Sequence, residues 1–244
     1  MAIRGRTILG VVPARAGSKG IPGKNLRPVG GISLVGRAAA LLASLPWADA
    51  RIVSTDGNEI AQEAVRHGIE APFMRPDEHS GDMATSVQMW RHAWLASEAH
   101  YGSRFDISIL LEPTSPLRRA EDVERTVTLL LDSGAAGAMT VSRTPAHYTP
   151  HKTLTLSPEG RVGFYLTEGG SYATRQKIPN YYHRNGICYA VTRQGLVERG
   201  EIIGADTQAL VIEREIVNID DPFDLELAEW LLARQDRPAV GKGS

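Results

Sequence analysis

The sequence of 244 residues has little of several features that would have narrowed its function quickly. Its one cysteine, Cys188, excludes an internal disulfide and a cysteine-based zinc site and is typical of a reducing cytoplasm. The formal net charge of −1 favours neither nucleic acid nor an anionic membrane as a partner. No apolar run approaches the length of a membrane span, and the run at residues 7–12 meets Pro13 at once, so we interpret it as a buried strand rather than a signal peptide.

Three familiar signatures are also missing. Gly17 and Gly23 have five residues between them and Asn25 follows Lys24, a spacing that does not fit the P-loop of nucleoside triphosphatases. The G-x-G-x-x-G fingerprint of dinucleotide-binding proteins is absent, and so is the G-x-S-x-G elbow of serine hydrolases. These absences argue against three large enzyme classes.

A cationic, glycine-rich segment follows the first apolar run. Residues 15–25 combine three cations, three glycines, a hydroxyl and an amide. Glycines let backbone N–H groups approach an oxyanion closely, and Arg or Lys supplies the charge that offsets it. The segment therefore predicts a polyphosphate site, with a solvated basic loop as the alternative.

Short apolar runs alternate with amphipathic stretches over most of the chain, which predicts an α/β fold with a mainly parallel sheet and helices on both faces. This is a Rossmann-like, three-layer arrangement, in which ligands bind beyond the carboxyl ends of the strands. Three polar loops are expected there, after Val12, Ser54 and Leu111. The predicted strands are 7–12, 51–56, 69–74, 105–111, 137–142 and 186–191, and the predicted helices are 33–44, 58–67, 83–98, 121–131 and 225–234.

The alternation breaks at residues 144–182, which are rich in Pro, Thr, Tyr and Gly. We expect β-hairpins there, forming an inserted arm or lid on a single nucleotidyltransferase domain that spans residues 1–244. Residues 238–244 are expected to be a disordered tail.

Five motifs, in order along nearly the whole chain, resemble the CMP-sialic acid synthetases, also called acylneuraminate cytidylyltransferases. They are Pro13-Ala14-Arg15-Ala16-Gly17-Ser18-Lys19-Gly20-Ile21-Pro22-Gly23-Lys24-Asn25, Ile52-Val53-Ser54-Thr55-Asp56, Leu110-Leu111-Glu112-Pro113-Thr114-Ser115-Pro116-Leu117-Arg118, Arg184-Asn185-Gly186-Ile187, and Asn218-Ile219-Asp220 with Leu227-Ala228-Glu229.

The resemblance implies an enzyme that transfers CMP from CTP to the anomeric hydroxyl of a nine-carbon 2-keto sugar acid and releases pyrophosphate. It assigns Arg15, Lys19 and Lys24 to the triphosphate as catalytic residues. The nucleotide-binding positions that it implies are Ala14, Gly17, Ser18, Asn25, Thr85 and Ser86. For Ser86, helix capping alone is the alternative.

The resemblance also implies a Mg²⁺ site, because the family has two aspartates one residue apart near the end of the chain. Here Asp220 fits and Asn218 departs, since an amide oxygen can coordinate a metal but brings no charge. The sugar-binding positions that it implies are Glu112, Lys152, Arg175, Gln176 and Asn185. Solvent-exposed hairpin charges are the alternative for those in the arm.

Glu112 is a second departure, because the sialic acid enzymes usually have glutamine there. An ionised carboxylate only accepts hydrogen bonds, whereas an amide also donates. The change favours a differently decorated acceptor or a different base, so legionaminic-type acids and GTP stay open, and so does a structural pairing of Glu112 with an arginine.

The implied partners are CTP, a sugar acid and a second copy of the chain, with exchange of the arm between subunits; nucleic acid and membrane are not expected. Transfer to ketodeoxyoctonate, a sugar-1-phosphate nucleotidyltransferase and a non-catalytic nucleotide-binding relative remain alternatives.

Overall fold

The computed structural model describes residues 3–18, 20–167, 170 and 178–235. These residues fall into two compact units. The first comprises the described residues of Met1–Thr140, Asn185–Leu210 and Arg214–Ser244, and the second those of Val141–Arg184 and Val211–Glu213. Lys19, Arg175, Gln176 and the predicted tail at 238–244 lie outside the described residues.

A six-stranded sheet forms the centre of the fold. Its strands are β1 (Ile8–Pro13), β4 (Ala50–Ser54), β5 (Ile107–Leu110), β6 (Gly137–Arg143), β9 (Tyr182–Thr192) and β10 (Gln208–Val211), in the order β10-β6-β9-β5-β1-β4. Strand β1 pairs in parallel with β4 and β5, and β9 runs antiparallel to β5. Two short pairs, β2 (Pro28–Val29) with β3 (Ile32–Ser33) and β7 (Leu154–Leu156) with β8 (Val162–Phe164), lie outside this sheet. The predicted α/β class is confirmed.

Among the described residues, five α-helices alternate with these strands, and two of them begin at a capping hydroxyl, whereas the helix that starts at Asn58 follows Gly57 and has no side-chain cap. Ser33 accepts a hydrogen bond from the Gly36 N–H at 3.0 Å, as predicted. Thr85, rather than Ser86, caps the third helix, and Gln88 completes a capping box with it. The helices are α1 (Leu34–Ala43), α2 (Asn58–Arg66), α3 (Ser86–Tyr101), α4 (Ala120–Ser133) and α5 (Pro222–Gln235).

One predicted strand, at residues 69–74, does not form. Only Glu70 pairs with the sheet: its N–H donates to the Arg51 carbonyl and its carbonyl accepts from the Val53 N–H, both at 2.8 Å. Pro72 follows two residues later and has no N–H to continue the ladder, so the chain leaves the sheet there.

The core of the first unit is tied together by α3, whose two tryptophans are fully buried, as their spacing indicates. The Trp90 indole N–H donates to Ser108 Oγ at 2.8 Å, and Ser108 Oγ donates to the Leu9 carbonyl at 3.0 Å. This chain of hydrogen bonds fixes α3 to β5 and β1, so the start of α3 lies at a fixed place relative to the loop that follows β1.

A buried ion pair fixes the start of α4. Asp122 is 1% exposed and accepts hydrogen bonds from the Arg119 N–H at 2.9 Å and from the Arg214 guanidinium, with Nη1 at 2.7 Å from Oδ1. The predicted helix at residues 121–131 puts Asp122 in its first turn, where an acidic side chain is favourable. Its partner is 92 positions away and no local pattern identifies it.

We expect Asp122→Ala to lower the free energy of unfolding by about 3–5 kcal/mol, because it leaves the Arg214 charge uncompensated and removes the cap of α4. Urea denaturation measures this change. Glu121→Ala is the matched control, since Glu121 is exposed and lies 3.6 Å from Arg119; it should cost less than about 1 kcal/mol. Equal losses in the two variants would contradict the assignment.

Candidate active site

The cationic loop after β1 is held by its own polar residues. Asn25 is buried, and its amide donates to the Arg15 carbonyl at 2.9 Å across the loop. Gly23 has a φ of +64°, which allows the chain to turn into the short helical turn at Lys24–Leu26. The Ala16 N–H donates to Asp56 Oδ1 at 2.8 Å, which joins this loop to the loop after β4.

This loop forms one wall of a cavity of about 580 Å³ that lies wholly in the first unit. The residues around it come from two of the three loops that the sequence placed beyond the strand ends, those after Val12 and Leu111, and from the start of α3, the segment before α5 and Arg75. The third loop, after Ser54, is not part of the lining. Of the predicted site residues, the lining includes Ala14, Arg15, Ser18, Lys24, Asn25, Ser86, Glu112, Asn218 and Asp220.

The two predicted cations that are described lie next to acids. Arg15 Nη1 is 3.1 Å from Asp82 Oδ1, and Lys24 Nζ is 3.2 Å from Asp220 Oδ1. Lys24 Nζ also donates to the Ile219 carbonyl at 2.8 Å, which ties the loop to the segment before α5. Both cations are therefore held at the cavity wall, where a bound polyanion would meet positive charge.

A third cation, Arg75, lines the same cavity and was missed by the sequence reasoning. It is only 6% exposed, and neither its Nε nor its Nη2 has a hydrogen-bond partner. Nη2 is 3.8 Å from Asp56 Oδ1, so the ion pair is loose. Burial lowers the pKa of Arg75. A buried guanidinium with unused N–H groups at a cavity is chemically prepared to bind an acceptor-rich ligand.

A fourth cation, Arg118, has the opposite arrangement. It is buried and its guanidinium donates to three backbone carbonyls: Glu112 at 2.6 Å, Gly186 at 2.9 Å, and Ile187. Burial lowers its pKa to about 10, so it stays protonated at neutral pH. Arg118 thus binds the backbone of Glu112, and it fixes the 112–118 loop to the strand β9.

Comparison with protein-family models matches residues 9–194 to the cytidylyltransferase model. The chain belongs to the cytidylyltransferase family. The predicted resemblance is thereby confirmed.

Individual relatives align with almost the whole length of this cytidylyltransferase. It is 26% identical to "Post-translational flagellin modification protein B" of Campylobacter coli, covering 95% of this chain and 97% of that one. It is 29% identical to CMP-N,N'-diacetyllegionaminic acid synthase of Legionella pneumophila subsp. pneumophila, covering 92% and 96%. A solved CMP:2-keto-3-deoxy-manno-octonic acid synthetase, complexed with CTP, has the same fold, with a TM-score of 0.69, 19% identity and coverage of 94% and 99%.

Three predicted residues of this cytidylyltransferase lie near the cavity without being among its lining. Asn185 is buried, and its side-chain oxygen accepts from Thr140 Oγ1 at 2.6 Å and from the Ile187 N–H at 3.2 Å. Thr85 caps α3 next to Ser86. Gly17 is in the loop itself, and a Cβ there would contact nothing within 4 Å.

One other predicted sugar-binding residue, Lys152, belongs to the second unit. Lys152 is partly buried, and its N–H donates to the Thr149 carbonyl at 2.9 Å. Arg175 and Gln176 lie outside the described residues, as does Lys19 of the first unit.

The residues near α5 contain an oxygen atom suited to a cation. Asn218 Oδ1 is buried without a hydrogen-bond partner, and Asp220 lines the same cavity with its side chain 79% exposed. Asp221 instead caps α5, accepting from the Asp224 N–H at 3.1 Å. In the described part of the chain, no group of three or more His, Cys, Asp or Glu side chains could hold a metal on its own.

Among the described helices, none is long and apolar enough to cross a membrane.

In the absence of ligand, replacement by Met should affect the free energy of unfolding differently at the two buried arginines, Arg75 and Arg118. Arg75→Met should leave the free energy of unfolding unchanged or raise it, because it removes a poorly paired buried charge. Arg118→Met should lower it by at least about 3 kcal/mol, because three carbonyls lose their donor. Urea denaturation at neutral pH compares them. A loss at Arg75 as large as that at Arg118 would show that Arg75 is structural.

Proposed function

We propose that this chain transfers CMP from CTP to the anomeric hydroxyl of a nonulosonic sugar acid, a nine-carbon 2-keto acid, and releases pyrophosphate. The observation that carries the proposal is the single cavity at which Arg15, Lys24 and the unsatisfied Arg75 meet. A triphosphate needs such a concentration of cations. The Legionella pneumophila relative, which is named for the synthesis of a CMP-sugar acid, aligns with 92% of this chain. Since CTP is a cytoplasmic metabolite, we place the reaction there.

In the proposed reaction the acceptor hydroxyl oxygen forms a bond to the α-phosphorus as the bond from that phosphorus to the bridging oxygen breaks. Pyrophosphate takes the electron pair of the broken bond, and the hydroxyl proton passes to solvent. Such a displacement needs alignment and charge stabilisation rather than a covalent nucleophile. Arg15, Lys24 and, by the family resemblance, Lys19 would hold the triphosphate, while Asn25 and Ser86 would orient the nucleotide.

We further propose that Asp220 and Asn218 hold a Mg²⁺ ion together with oxygens of the substrates. The orphaned Oδ1 of Asn218 and the carboxylate of Asp220 at one cavity fit that ion, which is usually bound by one or two protein oxygens, phosphates and water. The ion would add positive charge at the phosphates. Asp220 also pairs with Lys24, so the same carboxylate would connect metal and cation.

The sugar acid is proposed to differ from common sialic acid in the groups that face Glu112. The carboxylate of Glu112 can only accept hydrogen bonds when ionised, so it favours an acceptor that presents an N–H or O–H at that point. A legionaminic-type acid with acylamino groups meets this requirement. By the family resemblance, we propose Lys152, Arg175 and Gln176 as further sugar-binding residues, with an arginine suited to the carboxylate of the acceptor, and Asn185 as a residue that supports the position of Glu112.

The test is a matrix of substrates with the wild-type enzyme. Pyrophosphate release is measured with each of the four nucleoside triphosphates against sialic acid, diacetyllegionaminic acid, ketodeoxyoctonate and a sugar 1-phosphate, with Mg²⁺ or with EDTA. We expect turnover with CTP and a nonulosonic acid that EDTA abolishes and Mg²⁺ restores. Absence of turnover with every ulosonic acid would refute the proposal, and activity in EDTA would refute the metal.

Lys24→Ala should lower kcat well over tenfold, because the loss of one transition-state donor costs about 2.7–4 kcal/mol. Steady-state kinetics with CTP and the best acceptor measure the loss. Arg27→Ala is the matched control: Arg27 is an exposed cation of the same segment, and its Nε donates to the Pro22 carbonyl at 3.2 Å. Unaltered turnover in Lys24→Ala would remove Lys24 from the site.

We also propose a homodimer, with the second unit as the exchanged arm. In its hairpin Leu154 lies opposite Phe164 and Leu156 opposite Val162, so all four side chains share one face. Each is at least 49% exposed. An isolated apolar face of this kind is typical of a protein interface.

Leu156→Glu combined with Val162→Glu should convert the dimer to a monomer, because two charges would be buried in the interface. Light scattering coupled to size-exclusion chromatography gives the mass. Thr155→Glu is the control, since Thr155 lies on the opposite face of the hairpin. A wild-type monomer, or a double variant that stays dimeric, would contradict the proposal.

A further inference from the structure

Gly186, in strand β9, lies at a position where a side chain would not fit unless the surrounding residues moved. Its φ is +69°, and a Cβ built on it would overlap Glu112 Oε2 and lie 2.6 Å from Ser115 Oγ. The Glu112 carboxylate and the Ser115 hydroxyl therefore occupy the space in which a side chain at position 186 would lie.

The backbones on both sides of this contact are fixed. Arg118 donates to the carbonyls of Glu112 and Gly186, and Ser115 Oγ donates to the Asn185 carbonyl at 2.7 Å. The 112–118 loop and the 185–187 segment therefore cannot move apart without breaking buried hydrogen bonds. The flexible end of the Glu112 side chain is the part that can yield to an added Cβ.

We infer that Gly186 is a positioning residue for the step in which the acceptor reacts. Because Gly186 has no side chain, the Glu112 carboxylate can occupy that space at the cavity. The inference rests on the proposed function, in which Glu112 contacts the sugar acid. A Cβ at 186 would displace the carboxylate from its contact with the acceptor. The three atoms nearest to such a Cβ belong to Glu112 and Ser115, so Arg15, Lys24 and Arg75, which would hold the nucleotide, should be unaffected.

Backbone conformation alone is the competing explanation, because a left-handed φ strains any residue with a Cβ. Gly134 is the matched control: its φ is +66°, and a Cβ there would have nothing within 4 Å. Gly134→Ala therefore reports the cost of the strain without displacement of a carboxylate. Gly186→Asn is tested beside Gly186→Ala, because Asn tolerates a positive φ better and adds the same Cβ.

The experiment is a double-mutant cycle with Glu112→Ala, measuring kcat/KM for the sugar acid and the Kd of CTP. We expect Gly186→Ala and Gly186→Asn to lower kcat/KM for the acceptor at least about tenfold, since a misplacement of 1 Å can cost about a hundredfold. The Kd of CTP should stay within about twofold. In the Glu112→Ala background the same substitutions should cost less than in the wild-type background, because there is no carboxylate left to displace and only the contact with Ser115 Oγ remains. Equal losses in both backgrounds, or losses in Gly134→Ala as large as those at 186, would overturn the inference.

A crystal structure of Gly186→Asn or Gly186→Ala separates this inference from the proposed function. A displaced Glu112 carboxylate supports the positioning role even if no sugar acid proves to be a substrate. A carboxylate that stays in place overturns it, whatever the kinetics. In contrast, wild-type turnover with no ulosonic acid, or Glu112→Ala with unchanged acceptor kinetics, would count against the proposed function and not against the geometry at Gly186.

Discussion

The site depends on one buried guanidinium. Strands β5 and β9 pair as far as Leu110 and Tyr189, and the chain then enters a loop in which Pro113 and Pro116 cannot donate to a ladder. Arg118 supplies the missing donors, binding carbonyls of the loop and of β9. Its burial is costly in isolation, but three acceptors offset the cost, and the charge is retained at neutral pH. The wall of the cavity that carries Glu112 is rigid for this reason.

Two other residues that line the cavity are polar but less completely paired. Arg75 is as buried as Arg118, yet two of its nitrogens have no acceptor, and Asn218 Oδ1 has no donor. Unsatisfied buried groups are rare in folded proteins and are often found at functional sites. Arg75 thus has unused hydrogen-bond donors, and Asn218 has an unused acceptor, at the same cavity. Together they match a ligand that carries both phosphate oxygens and a cation, which is the chemistry expected of a cytidylyltransferase.

Acidic side chains lie beside two of the cations at this cavity. Arg15 pairs with Asp82 and Lys24 with Asp220, so each cation has an acid nearby in the absence of a ligand. Because these pairs are partly exposed, each contributes little to stability and can rearrange at small cost. The arrangement holds the cations at the cavity and leaves them able to change partners.

The sequence by itself determined the features that depend on neighbours in the chain. Alternating apolar runs predicted the α/β class, Ser33 predicted the start of α1, and the spacing of glycines and cations predicted the loop that lines the cavity. Tertiary structure alone decided the rest, because the partners are distant in sequence. Asp122 meets Arg214 across 92 positions, and Glu112 fills the space left by Gly186, 74 positions away. Arg75 belongs to no recognisable motif, and its role follows only from being buried at a cavity without acceptors. Local patterns record the period of a helix or strand and the residue types of a turn, whereas burial and pairing depend on which surfaces the fold brings together.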